Sequence, residues 1–297
     1  MKPRGFALIL VIWVLVLLSL LAVGFSSQVR VETATGSWLS DQVQLQSSAN
    51  AAVHRAMLGL AAEDDEQRWY PDGSTHQMVW NDFDIQIVVR NESGKVDINY
   101  APRGLLLRLI QQMPGNLDSN ALSDALIDWR DRDNQVSAFG AEGPEYLAAG
   151  LSHLPSNGPL SSISELTQVM GFDSALVESL RPYITVHARR PKVDVYSASE
   201  VVLASIPGIS NAIARDFIRD RQTALANGDR PDIAPLSQAQ RYFDAIPSSG
   251  IFNIEVTIPF EAYVHREQAV VRLQSTTGQY EILAWETIAQ NNPDNNP

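Results

Sequence analysis

The sequence predicts an α+β fold: a long N-terminal helix, part of it transmembrane, packed on an antiparallel sheet, with a large all-α domain placed between two groups of strands. Three observations carry this prediction. The chain opens on an unbroken apolar run. Segments alternating with a period of two occur near residues 83–98 and again near 252–284. Between them lies a long stretch of short apolar helices punctuated by Pro and Gly.

The opening run comes first. Lys2 and Arg4 sit in a polar head that ends at Gly5, and from Phe6 to Val23 no residue is charged. At about 1.5 Å per residue this span is long enough to cross a hydrocarbon core of about 30 Å as a helix. The two basic residues place the head in the cytoplasm and the rest of the chain beyond the membrane. Three readings compete: a cleaved signal peptide, a plain signal anchor, and a leader of the type IV prepilin kind, in which a short basic segment ends in Gly and is cut before Phe. Ala22-Val23-Gly24 is a poor match to a signal-peptidase site and the apolar run exceeds the usual length, whereas Gly5-Phe6 matches the third pattern.

The helical pattern continues past the membrane span. Residues 26–62 contain no Pro, and apolar residues recur at Leu39, Val43, Leu45, Ala49, Ala52, Val53, Ala56, Met57 and Leu60, the last part at the spacing of one helix face. Gly36 leaves open a break into two helices. Glu63 to Glu66 and Pro71-Asp72-Gly73 end the segment. Phe83, Ile85, Ile87 and Val89 then alternate with polar residues, and the Asn91–Gly94 turn signal predicts a hairpin with Val96 and Ile98.

The helical stretch contains an internal echo. Lys95-Val96-Asp97, Ala101, an apolar helix and the turn Pro114-Gly115 lead to a helix ending near Arg130. Lys192-Val193-Asp194, Ala198, an apolar helix and the turn Pro207-Gly208 lead to one ending near Arg221. Gly171 marks a third turn of the same kind. Two units are too few for a solenoid and predict a compact helical domain. Alternation returns at Phe252–Ile258, Val271–Leu273 and Tyr280–Ala284, giving about three antiparallel strands with a turn at Thr277-Gly278. The expected divisions are 1–5 leader, 6–25 membrane span, 26–100 helix and first strands, 101–249 inserted helical domain, 250–290 last strands and 291–297 a disordered tail.

Composition narrows the chemistry. The chain has 297 residues, no Cys and a formal net charge of −12. Disulfides, Cys-based zinc and thiol chemistry are excluded, and so strongly acidic a chain is poorly suited to hold phosphate backbones. Five scattered histidines, no phosphate-binding loop and no nucleophile elbow leave no enzyme constellation. One acidic stretch stands out: Asp131, Asp133, Glu142 and Glu145. Asp-x-Asp followed by a Glu suits a hard cation such as calcium, but Gln135 and Val136 break the EF-hand pattern. A calcium site and a solvated acidic loop are both open on spacing alone, and Asp128 could instead contact Arg130.

The chain resembles the minor pseudopilin GspK family of type II secretion systems. The resemblance rests on Gly5-Phe6, the long helix, the order of elements, Asp128-Trp129-Arg130-Asp131-Arg132-Asp133, Gly140-Ala141-Glu142 with Tyr146, Asn157-Gly158-Pro159-Leu160, Glu165-Leu166, Arg181-Pro182-Tyr183 and Val193-Asp194. It implies a pilin-like fold, cleavage by a prepilin peptidase after Gly5 and N-methylation of Phe6. It implies a single-pass inner-membrane subunit with a periplasmic C-terminal domain, joined to two other minor pseudopilins (GspI and GspJ) at the pseudopilus tip. There the subunit would initiate assembly and help export folded proteins across the outer membrane. Pilin-like subunits usually carry Glu at the fifth mature position; here it is Leu10, as the family's tip placement implies, since an unpaired carboxylate in lipid is costly. The resemblance also implies calcium in the helical domain, and neither nucleic acid nor a small-molecule substrate. The two helical units resemble helix-hairpin-helix elements. A membrane-anchored periplasmic DNA-binding protein is therefore the alternative function, and a tethered hydrolase is a third for which the sequence offers no residues.

Overall fold

The computed structural model describes residues 5–64, 67–244, 250–260, 263–274 and 279–288. Within the first helix the side chains of residues 5–9 and 20–38 also lie outside the description, as does that of residue 226. In chain order the elements are α1 (Gly5–Ala61), β1 (Asp72–Trp80), β2 (Phe83–Asn91), β3 (Val96–Asp97), α2 (Arg103–Gln111), α3 (Ser119–Arg130), α4 (Gly143–Ala148), α5 (Ser174–Leu180), β4 (Ile184–Thr185), β5 (Val193–Asp194), α6 (Glu200–Ser205), α7 (Asn211–Ala226), β6 (Phe243–Asp244), β7 (Ile251–Phe260), β8 (Tyr263–Leu273) and β9 (Tyr280–Ile288).

A mixed helix-and-sheet architecture results. The five long strands form one antiparallel sheet in the order β1-β2-β7-β8-β9. The chain leaves the sheet after β2 and returns to it at β7. Their period of two puts Ile85, Ile87 and Val89 beside Ile254, Val256 and Ile258 on one face. There they meet Leu45, Ala49, Ala52, Val53, Ala56 and Met57 of α1. The three alanines let the helix approach closely, and each fully buried Ile or Val contributes about 1.5–3 kcal/mol. His265 and Glu267 of β8 are buried near this layer, where Glu267 bridges His265 Nε2 (2.9 Å) and the Trp285 indole N–H (2.6 Å).

The second core gathers the helical stretch from Val96 to Phe243, and the internal echo is real in three dimensions. β3 pairs in parallel with β4, and β5 with β6. Arg130 donates to the carbonyls of Ile98 and Ala101, and Arg221 to those of Val195 and Ala198. Asp97 and Asp194 each accept from the backbone N–H two residues on. Gly115, Gly171 and Gly208 take φ of 108°, 89° and 96° at the three turns, a region that favours Gly.

Several expectations are corrected. No hairpin joins residues 83–89 to 96–98. Asn91 caps a short turn over Glu92–Gly94, which releases Val96-Asp97 to pair with β4. β2 pairs instead with β1 on one side and β7 on the other; β1 begins at Asp72-Gly73, which with Pro71 reads as a helix-ending turn in the sequence, and the strand over 74–80 is not expected from it. Asn81 and Asp82 connect these strands with φ of 52° and 64°, the left-handed pair that a tight hairpin requires. Leu39 and Val43 do not join the core; they are 58 % and 63 % exposed, and burial along α1 begins at Leu45. The second long helix runs past Arg221 to Ala226. Gly36 does not interrupt α1.

Among the described residues no helix is long and apolar enough to cross a membrane. Over the expected span 6–25 the backbone is helical and Leu10 to Leu18 are exposed, while the side chains of 6–9 and 20–25 lie outside the description. Residues 1–4, the Thr277-Gly278 turn and the tail 291–297 lie outside the described residues.

Candidate functional site

The acidic stretch is organised by the last turns of α3. Asp124 and Asp128, one helical turn apart, point at the loop that follows. Asp128 Oδ2 accepts the Ser137 N–H (3.0 Å) and its other oxygen accepts the Ser137 hydroxyl, while Asp124 Oδ2 accepts the Phe139 N–H (3.2 Å). Gly140 packs so tightly here that a Cβ would stand 1.9 Å from Asp128 Oδ2. Asp128 does not bond to Arg130, whose guanidinium turns to the carbonyls of Ile98 and Ala101. Trp129, Tyr146 and His153 form an aromatic cluster in the same part of the fold, with ring centroids 5.8–6.2 Å apart.

The four predicted carboxylates divide into two kinds. Asp133 and Glu145 are locally engaged: Asp133 Oδ1 accepts the Gln135 N–H (2.9 Å) and Glu145 Oε2 the Glu142 N–H (3.0 Å). Asp131 Oδ1 and both carboxylate oxygens of Glu142 are buried without a hydrogen-bond partner. Glu142 precedes α4 and faces its first-turn N–H groups, yet neither oxygen closes a well-formed bond. Burial raises the pKa of Glu142, and the nearby Asp128, Asp131, Asp133 and Glu145 raise it further. Asp131 is likewise raised, by burial and then by Asp133 and Asp128. The carboxylates are therefore close enough to repel one another.

Asn157, at φ 49°, adds another buried oxygen without a partner, Oδ1, while its Nδ2 donates to Asn134 Oδ1 (2.9 Å). The sequence reading missed Asn157 and the anchoring roles of Asp124 and Asp128. The i,i+4 spacing of the two aspartates on a helix with an apolar opposite face was the available signal. Among the described residues no three His, Asp or Glu side chains form a ready-made metal cage. The donor chemistry nevertheless suits a hard cation such as calcium: oxygens only, an excess of negative charge, and buried oxygens without a hydrogen-bond partner among them.

The five histidines share no site. His54 contacts Tyr280, His76 stacks on Trp69, His153 belongs to the aromatic cluster, His187 lines a small cavity with Glu92 and Arg181, and His265 bonds to Glu267. The hairpin at Pro207-Gly208 is engaged internally. Ile206 and Ile209 are buried, and Arg108 donates to the carbonyls of Ala204 and Ile209 (2.9 and 3.0 Å).

The chain superposes with TM-score 0.62 on a chain from the crystal structure of the GspK-GspI-GspJ complex from the enterotoxigenic Escherichia coli Type 2 Secretion System. The overlap covers 86 % of this chain and 99 % of that one, at 19 % identity. Residues 82–189 match the family model described as Type II secretion system (T2SS), protein K. The type II secretion system protein K of Klebsiella pneumoniae is 27 % identical over 205 residues, 62 % of this chain and 62 % of that protein. The protein of the same name from Pectobacterium carotovorum subsp. carotovorum is 37 % identical over 97 residues, 32 % of this chain and 29 % of that protein. In both cases the matched stretch spans less than two thirds of the relative's length. The resemblance to the protein K family read from the sequence is thereby shown.

Proposed function

We propose that the protein is a minor pseudopilin of a type II secretion system. It caps the tip of the pseudopilus, initiates its assembly with GspI- and GspJ-like subunits, and helps export folded proteins across the outer membrane. The observation that carries this reading is the fold shared with a chain of the GspK-GspI-GspJ complex along 86 % of this chain, with the protein K match over 82–189 in support. On this reading α1 and the five-stranded sheet are the pilin-like part, residues 101–249 are an inserted helical domain, and residues 6–25 anchor the chain in the inner membrane with its head in the periplasm. A prepilin peptidase cuts after Gly5 and Phe6 is methylated. Leu10, 54 % exposed on α1, needs no counter-charge from a subunit above it. The exposed Leu39 and Val43 extend the apolar face of α1 toward neighbouring subunits. The role is structural rather than catalytic and involves neither nucleic acid nor a small-molecule substrate.

Co-expression with the cognate GspI- and GspJ-like subunits tests the assignment. A stable complex on size exclusion is expected, and elution of this chain alone at every ratio would contradict it.

In the same reading calcium is held by Asp131 and Glu142, with Asp133, Glu145 and Asn157 available beside them. Bound calcium neutralises the mutual repulsion of the carboxylates and rigidifies the loop between α3 and α4. At a hundred times its Kd the ion adds about 2.7 kcal/mol of stability. The melting temperature should rise with calcium and fall with chelator, and Asp131→Asn with Glu142→Gln should abolish the response. An unchanged response in that double variant would remove the site.

A further inference from the structure

We propose that His76 is a pH-released latch holding the edge strand β1 against the C-terminal end of α1. Among the described residues β1 ends the sheet and pairs only with β2, so its other attachment there is through side chains. Trp69, in the connection between α1 and β1, lies directly on Gly59 of the helix, where a Cβ would stand 2.5 Å from the indole. Its backbone N–H donates to the Gly59 carbonyl (2.9 Å). The His76 ring stacks on this indole with centroids 3.8 Å apart and planes 2° from parallel, and the Arg55 guanidinium lies 4.8 Å from the same indole. Helix, indole and imidazole thus form a continuous stack, with His76 as the piece supplied by β1.

The stack suits a neutral imidazole. His76 Nε2 is buried with no hydrogen-bond partner among the described residues. Protonation would place a charged N–H there with no acceptor, which is costly. The charged groups facing the ring are Arg55 from α1, which opposes a second cation, and Asp72 from β1 itself, which favours it. Its register partner on β2 is the apolar Ile87. An indole ring can stabilise a stacked cation, but the Arg55 guanidinium already lies 4.8 Å from this ring. Burial, aided by Arg55 and only partly offset by Asp72, holds the His76 pKa below its ordinary value. The sign follows. A base whose folded pKa is depressed contributes full docking stability above the unfolded value of 6.5 and loses it as pH falls through the lower folded value. Acidification therefore loosens β1 and uncovers the edge of β2. The α1–sheet core from Leu45 to Met57 is retained, because its buried members come from β2, β7 and β8 and none from β1.

Hydrogen–deuterium exchange of the full chain in detergent, followed by mass spectrometry at about pH 7.5 and about pH 5 and corrected for intrinsic exchange, reads the latch directly. Peptides covering 69–80 should lose protection several-fold at the lower pH while those covering 45–57 do not, and His76→Gln should remove the difference. No loss in the wild type, or the same loss in His76→Gln, overturns the proposal. Should His76→Gln leave β1 unprotected at both pH values, Arg55→Gln with His76 intact decides. Without the opposing cation the docked form accepts the proton more readily, so the loss of protection at the lower pH should shrink, and an unchanged loss overturns the latch.

Discussion

Replacing Asp97 with Asn should make the pH dependence of stability shallower between pH 3.8 and about 6. Asp97, the last residue of β3, is 2 % exposed. Its Oδ1 accepts the Asn99 N–H (2.9 Å) and its Oδ2 the Arg189 N–H (2.6 Å). These bonds and the Arg130 charge favour the carboxylate, but burial outweighs them and raises the pKa from 3.8 to about 6. A shift of about two units corresponds to ~3 kcal/mol. Because the folded value is raised, this stability is fully present below pH 3.8 and is lost as pH rises through about 6. Asn stays neutral throughout and keeps an acceptor for the Asn99 N–H. Urea unfolding across this pH range, followed by far-UV circular dichroism, gives the difference between variant and wild type, in which the other carboxylates cancel. That difference should move by ~3 kcal/mol in the variant's favour from the acidic to the neutral end. A difference constant to within about 0.5 kcal/mol would refute the burial argument.

Two further outcomes follow from the geometry. Arg130→Lys removes a fork whose Nη1 and Nη2 each reach a carbonyl, and Arg221→Lys removes an Nη1 shared between two carbonyls, each leaving a shorter ammonium in its place. Each should cost about 1.5–3 kcal/mol in thermal or urea unfolding, and a large cost at one site with none at the other would deny that the two units are equivalent. Gly140→Ala should cost about 3 kcal/mol and erase any calcium-dependent rise in melting temperature, because the new Cβ expels Asp128 from Ser137. Gly158→Ala, whose Cβ meets nothing closer than 3.7 Å, should stay within about 0.5 kcal/mol, and equal costs for the two would show that the loop does not depend on Asp128.

Much of this architecture is legible in the sequence where a period is long enough to be unambiguous. α1, β2 and β7 announce themselves through 3.6- and 2-residue patterns, whereas of β8 only Val271 and Leu273 at its end are legible, and the duplicated Lys-Val-Asp…Pro-Gly units reappear as two arginines that each reach a pair of carbonyls. The failures are local. Val96-Asp97 is a two-residue strand, too short for periodicity to say whether its partner lies beside it or, as here, 88 positions on at Ile184. β1 escaped because Asp72-Gly73 imitates a helix stop and because the turn that commits it uses Asn81-Asp82 rather than the more familiar Asn-Gly. Leu39 and Val43 look like core residues because apolar spacing records that a face is covered by something, not that the covering belongs to the same chain. At the acidic loop the sequence marked the carboxylates. It could not show that Asp133 and Glu145 would turn to backbone N–H groups while Asp131, Glu142 and the distant Asn157 would be left with bare oxygens.

Mass spectrometry of the mature N-terminus tests the central claim most directly, because a pilin-like subunit and a merely anchored or secreted protein differ there in covalent structure. The account predicts that the chain begins at an N-methylated Phe6. A chain beginning near Phe25, or retaining Met1, would contradict it.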